Sequence, residues 1–93
     1  MPGNFKYKTM KKLYQVYKAC KAKHEDHITF VRDTDYYYTF ESDAIKLHKV
    51  TGMLTVHITI NEKDVRMAML NRKTLDRFLP KFIKAGYKVA IKD

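Results

Sequence analysis

The chain has 93 residues, of which 45% are hydrophobic, and a formal net charge of +9. This length predicts one domain with a modest core, and the hydrophobic content excludes a disordered chain. No apolar run approaches the roughly 20 residues of a membrane helix, and the N-terminal MPGNFKYK lacks the apolar segment of a signal peptide. The single cysteine, Cys20, excludes an internal disulfide. These features predict a cytoplasmic protein without a membrane partner.

The positive charge is concentrated in two stretches. One precedes Glu25, the first acidic residue, and contains Lys6, Lys8, Lys11, Lys12, Lys18, Lys21 and Lys23. The other contains Arg72, Lys73, Arg77, Lys81, Lys84 and Lys88. Such clusters favour a polyanionic partner, above all nucleic acid, although a solvated and solubilising surface has the same composition.

The N-terminal half predicts a tail, a helix and a hairpin. Residues 1–8 are expected to form a flexible tail, and the domain is expected to span 9–93. A helix is predicted over 10–24, with Thr9 as N-cap and a buried stripe of Met10, Leu13, Tyr17 and Cys20, with Tyr14 beside it. Strands are predicted over 28–32 and 36–40, and the short link between them indicates an antiparallel hairpin. Alternation then places Tyr36 and Tyr38 on one face and Tyr37 on the other.

The C-terminal half predicts two helices and three strands. Ser42 is a candidate N-cap of a helix that ends at Gly52. The segment MLTVHITI predicts a half-buried strand with Leu54, Val56, Ile58 and Ile60 inside, and VRMAML predicts the next strand, with Val65, Met67 and Met69 on one face. A helix over 74–85 is predicted to contain a kink at Pro80 and to bury Leu75, Phe78, Leu79, Phe82 and Ile83. A last strand at 87–91 completes an α+β domain with a mixed or antiparallel sheet.

Catalytic motifs are not evident in the sequence. The four histidines and one cysteine lack metal-ligand spacing, no glycine-rich phosphate loop indicates a nucleotide site, and no motif supports a Ser/His/Asp triad. A metal-dependent nuclease would need carboxylates such as Asp33, Asp35, Glu41 and Asp43 to converge, whereas turn and helix-start positions explain Asp33, Asp35 and Asp43 without a metal. The sequence therefore predicts neither an enzyme nor a cofactor.

Three consecutive tyrosines, residues 36–38, stand in the most acidic stretch of this basic chain. Tyrosine rings can stack on bases or wedge between them. A tyrosine-rich strand can equally pack against a helix inside the fold.

Two blocks of sequence resemble the N-terminal mismatch-recognition domain of the MutS family of DNA mismatch repair proteins. The first block, YKACKAKHEDHITFVRDTDYYYTFESDAI, matches the family pattern without a gap at Tyr17, Lys21, Ala22, His24, Asp26, Phe30, Arg32, Asp35, Tyr37, Phe40, Asp43 and Ala44. The second comprises VRMAML and LDRFLPKFIKAGYKVAI, including the unusual Pro80. The resemblance covers roughly residues 9–92 and implies the MutS domain I fold in a bacterial protein.

The resemblance also implies a site. In the family, the Phe of a Phe-x-Glu motif stacks on a mispaired base, and the Glu hydrogen-bonds that base. By register, the wedge position is Tyr36, and the second base-contact position is Tyr38. Phosphate contacts are expected from basic side chains elsewhere on the domain, namely Lys11, Lys12, Arg72, Lys73 and Arg77. The expected partner is DNA that is mismatched, bulged or a non-specific duplex.

At several positions this sequence departs from the family pattern, which limits what the resemblance implies about the site. Tyr38 replaces the family's carboxylate, so mismatch specificity is expected to be weakened or lost. Thr34 and Met69 stand where the family has glycines, and Asn71-Arg72-Lys73 replaces Pro-x-His. The family's connector, clamp and ATPase regions are not in this sequence.

The alternative to a DNA-binding module is a protein-interaction or regulatory domain that keeps the fold and binds a protein partner instead of DNA.

Overall fold

The computed structural model describes the backbone of residues 2–93 and the side chains of residues 9–93. The predicted tail of residues 1–8 therefore lies outside the residues whose side chains are described. The described chain forms three helices and five strands: α1 (Pro2–Lys23), β1 (His27–Asp33), β2 (Tyr36–Phe40), α2 (Glu41–Thr51), β3 (Val56–Ile60), β4 (Lys63–Asn71), α3 (Arg72–Lys84) and β5 (Lys88–Lys92). This order confirms the predicted succession of helices and strands. No helix in the described part is long and apolar enough to cross a membrane.

The five strands form one mixed sheet in the order β3-β4-β2-β1-β5. Strands β3, β4, β2 and β1 pair antiparallel in that order, and β5 joins the edge of the sheet parallel to β1. The α+β prediction is therefore confirmed, and the sheet is mixed. The predicted hairpin of β1 and β2 is also confirmed, with Asp33 opposite Tyr36 and Val31 opposite Tyr38.

The sheet separates two layers of apolar core, because its side chains alternate between the two faces. On one face, α2 and α3 cover Phe30, Tyr37 and their neighbours, with the buried residues Ile28, Phe30, Tyr37, Ala44, Leu47, Ala68, Leu70, Leu75, Phe78 and Phe82. On the other face, α1 packs on the buried residues Val31, Tyr38, Phe40, Ile60, Val65 and Met67 through Leu13, Tyr14 and Tyr17. The predicted division of Tyr37 from Tyr38 is thus confirmed.

The turn between β1 and β2 holds Thr34 in the left-handed region, at φ 55°. A β-branched side chain rarely adopts this conformation, whereas glycine does so without steric cost. The family resemblance places a glycine at this position, and the observed φ lies in the region that glycine favours. The turn ends directly before Tyr36 and fixes the start of β2.

The helix starts differ from the sequence predictions. Helix α1 begins at Pro2, so Thr9 lies inside it and is not its N-cap. Helix α2 begins at Glu41 and its N-cap is Phe40, which makes no side-chain cap hydrogen bond, so the Ser42 cap was wrong. The C-terminal stop is confirmed, because Gly52 adopts φ 78° and its N–H donates to the carbonyl oxygen of His48.

Two predicted buried faces are smaller in the structure. Helix α3 buries Leu75, Phe78 and Phe82, but Ile83 is 67% exposed. Ile83 follows Phe82 directly, so it is turned about 100° around the helix axis, away from the sheet. The predicted strand over 53–60 shortens to β3, and only Ile60 is fully buried in it. The strand lies at an edge of the sheet, and α1 packs on its Ile60 end and leaves Val56 exposed.

Candidate nucleic-acid interface

Tyr36 is the first residue of β2 and lies at the end of the sheet. Its backbone pairs with Asp33 of β1 on one side and with Asn71 of β4 on the other. Its side chain is 42% exposed, whereas the next two tyrosines of the strand are buried. Strand β2 therefore exposes one of its three tyrosine rings, at the position that the family resemblance predicts for the wedge.

Tyr38 lies on the same face of the sheet as Tyr36 but under α1. Its side chain is only 6% exposed and packs in the core layer that contains Val31 and Met67. This burial raises the pKa of the Tyr38 hydroxyl, because the charged form would lose its hydration. A base contact by Tyr38 remains a prediction, and it would require this ring to become accessible.

The first turn of α3 carries two cations next to the strand partner of Tyr36. Asn71 is the N-cap of α3, and its Oδ1 accepts a hydrogen bond from the backbone N–H of Thr74 at 2.9 Å. Arg72 and Lys73 follow it directly, and both are exposed. Positive charge at a helix N-terminus is unfavourable for the helix dipole, and for Arg72 the pair with Asp76 in the same helix opposes this effect.

Arg72 is held in place by two neighbours. Its guanidinium donates to the Tyr37 hydroxyl at 2.9 Å and to Asp76 Oδ1 at 3.0 Å. It also lies 5.8 Å from the centroid of the Tyr37 ring. The hydrogen bond to Tyr37 and the pair with Asp76 raise the pKa of Arg72. Tyr37 thus connects the buried core to a cation at the surface.

A concavity of about 390 Å³ opens at this end of the sheet. It is lined by Arg32, Thr34, Asp35, Tyr37, Asn71, Arg72 and Lys73. Because Tyr36 and Tyr37 point to opposite faces, the Tyr36 ring and this concavity lie on the two sides of the same sheet end. A ligand that covers this end can therefore contact both.

Arg32 is a residue that sequence reasoning did not assign to the site. Its Nε donates to the carbonyl oxygen of Thr34 at 3.0 Å, and one terminal nitrogen lies 3.6 Å from the Asp93 carboxylate. It also lines a second concavity, of about 430 Å³, on the α1 side, together with Lys12 and Lys92. The only sequence signal was its match to the family pattern, since its single charge belongs to neither basic cluster.

The predicted phosphate-contact residues are divided by the fold. Arg72 and Lys73 line the concavity beside α3, and Lys12 lines the one beside α1. Lys11 and Arg77 line neither of these two. Arg77 lies 5.7 Å from the Phe78 ring centroid, further along α3. The structure therefore brings Arg72 and Lys73 close to Arg32, with Lys12 on the other side of Arg32.

Asp43 has a structural role that its position in the sequence did not reveal. Its fully buried carboxylate accepts hydrogen bonds from Tyr17 Oη at 2.9 Å, Lys21 Nζ at 3.0 Å and the Thr29 N–H at 3.0 Å. Burial and the Asp43 charge raise the pKa of Tyr17. This network joins α1, β1 and α2. Among the described residues, no group of three or more His, Cys, Asp or Glu side chains could hold a metal ion.

Comparison with known proteins shows the family of this chain. Residues 11–93 match the family model described as MutS domain I. Over 74 residues, 78% of the chain, the sequence is 40% identical to the DNA mismatch repair protein MutS of Bacteroides thetaiotaomicron and 42% identical to that of Bacteroides fragilis. Over 82 residues it is 38% identical to MutS of Porphyromonas gingivalis. The chain spans 9% of the length of each of these relatives. It belongs to the MutS domain I family.

Proposed function

We propose that this chain is a DNA-binding module of the mismatch-recognition type, with weakened or lost mismatch specificity. The observation that carries the proposal is the exposed Tyr36 ring at a sheet end that also holds Arg32, Arg72 and Lys73, in a chain of the MutS domain I family. The relatives named above are DNA mismatch repair proteins, which supports DNA as the partner. The proposal includes no catalytic step, cofactor or nucleotide site.

The basic side chains and the Tyr36 ring would have different roles in binding. Cations contact phosphate oxygens, which fixes the position of the protein on the duplex without reading its sequence. The Tyr36 ring would stack on a base exposed at an unpaired or mismatched step, where the stack is already weakened. The acidic turn does not prevent this, because Arg32, Arg72 and Lys73 line the same concavity as Asp35.

Weakened specificity follows from the Tyr38 position. The family places a carboxylate there, which accepts a hydrogen bond from the mispaired base. Tyr38 has no carboxylate, and its ring packs beneath α1. Stacking by Tyr36 alone recognises a weak point in the duplex rather than a particular base, because every base offers a π-face.

A protein-interaction domain is the second candidate function. The observation that favours it is the exposed apolar surface of Leu54, Val56 and Met69. Exposed apolar patches often mark protein contacts.

Binding of DNA by this chain is expected to weaken as the salt concentration rises. We expect a dissociation constant of about 10⁻⁴ to 10⁻⁶ M at physiological salt, as for non-specific duplex binding. Lys73→Ala should reduce the slope of log K against log salt by about 0.9 for one lost phosphate contact, equally for paired and bulged duplexes. Fluorescence anisotropy with both duplexes at several salt concentrations measures this.

The matched control is Lys84→Ala, which removes the same charge from the last turn of the same helix. Its slope should equal that of the unmodified chain. Binding that does not depend on salt, or equal slopes for both lysine variants, would contradict the proposed phosphate contact.

A further inference from the structure

The face of the sheet that carries α1 is covered only in part. Tyr38 and Met67 are buried on this face, but Met69, on the same face of β4, is 45% exposed. Val56, opposite Met67 on the edge strand, is also exposed, at 53%. Together with Tyr36, Met69 and Val56 form an apolar ridge on the part of this face that the side chains of residues 9–93 leave exposed.

Met69 is the member of this ridge that lies nearest to Tyr36 in the pairing register. Tyr36 pairs with Asn71, and Tyr38 pairs with Met69. Tyr36 and Met69 are therefore diagonal neighbours on adjacent strands, whose Cα atoms are typically about 7–8 Å apart. Both side chains point to the same face of the sheet, and both residues are more than 40% exposed.

We infer that Met69 is a second wedge side chain beside Tyr36, and that the pair is matched to duplex DNA with one unpaired, bulged nucleotide. This inference rests on the proposed function. The diagonal spacing is about twice the 3.4 Å rise between stacked bases. Two side chains at this spacing can enter the steps on either side of a single nucleotide.

The chemistry of methionine suits this role. Methionine is among the apolar side chains that proteins insert between base steps, and its unbranched thioether adapts to an irregular gap. The ridge also ends beside Asn71, directly before the cations Arg72 and Lys73, so a duplex that covers both the ridge and this end of the sheet would bring its phosphates to these residues. That continuity favours DNA over a protein partner.

The test compares variants of the 93-residue chain on a paired duplex and on the same duplex with one bulged nucleotide. Met69→Thr removes the long apolar side chain and keeps a residue that favours strands. We expect it to weaken binding to the bulged duplex about five- to tenfold and binding to the paired duplex less than twofold. Met69→Leu, which keeps a long apolar side chain, should bind the bulged duplex as tightly as the unmodified chain does. The fluorescence of a 2-aminopurine next to the bulge should increase when the unmodified chain binds. The increase should be smaller with Met69→Thr, because fewer base steps are unstacked.

The matched control is Ile91→Thr, at a 40% exposed position of β5, the opposite edge of the sheet. It should leave both affinities unchanged. The inference is overturned, and the proposed function stands, if the unmodified chain prefers the bulged duplex, Tyr36→Ala loses that preference and Met69→Thr keeps it. If the unmodified chain binds neither duplex, the proposed function and the inference both fail.

Discussion

Phe82→Ala is expected to lower the free energy of unfolding by about 3–5 kcal/mol, because it empties a large site in a close-packed core. The side chain is fully buried between α3 and the sheet, with ring centroids of Phe30 at 6.0 Å and Phe78 at 6.4 Å. Domains of this size are stable by only about 5–15 kcal/mol, so the loss is a large fraction of the total. Urea unfolding followed by circular dichroism measures it.

The adjacent residue supplies the control. Ile83→Ala changes an exposed position of the same helix, and we expect a change within about 0.5 kcal/mol. Equal urea midpoints for the two variants would contradict the assignment of Phe82 to the core and with it the orientation of α3.

Asp43→Ala is expected to lower the free energy of unfolding by about 2–4 kcal/mol. The substitution leaves the Tyr17 hydroxyl and the Thr29 N–H buried without their acceptor and deprives Lys21 of its carboxylate. Asp43→Asn keeps an oxygen acceptor of the same size and should cost less. Thermal and urea unfolding of both variants measure the difference.

Ser42→Ala is the matched control, because Ser42 is the exposed neighbour of Asp43 in the first turn of α2. It should unfold as the unmodified chain does. If Asp43→Ala were as stable as Ser42→Ala, the network would not hold α1 against β1 and α2.

Local patterns predicted the elements of this fold well where chemistry and periodicity agree. The aromatic and β-branched run YYYTF gave β2 with its observed bounds, and Gly52 ends α2 in the left-handed conformation that its position indicated. The burial of Phe78 and Phe82 followed from helical spacing. The parallel pairing of β5 with β1 was not predicted, because strand order depends on contacts distant in sequence.

Coverage by another element is what the sequence patterns could not predict. Alternation placed Tyr36 and Tyr38 on one face, but only the position of α1 buries the second and leaves the first exposed. The same reason explains β3, where the pattern indicated an apolar face and α1 covers only one end. The Asp43 network was hidden for a related reason, since its partner Tyr17 is 26 residues away in sequence.

The most direct test of the central claim is the affinity of Tyr36→Ala for bulged DNA, measured together with its melting temperature on the same samples. We predict a ten- to hundredfold weaker affinity, since a stacked ring contributes about 1–3 kcal/mol per base. The melting temperature should change little, because the side chain is partly exposed. Tyr36→Phe keeps the ring and should bind as the unmodified chain does. A fully folded Tyr36→Ala variant with unchanged affinity would contradict the wedge and favour the protein-interaction function.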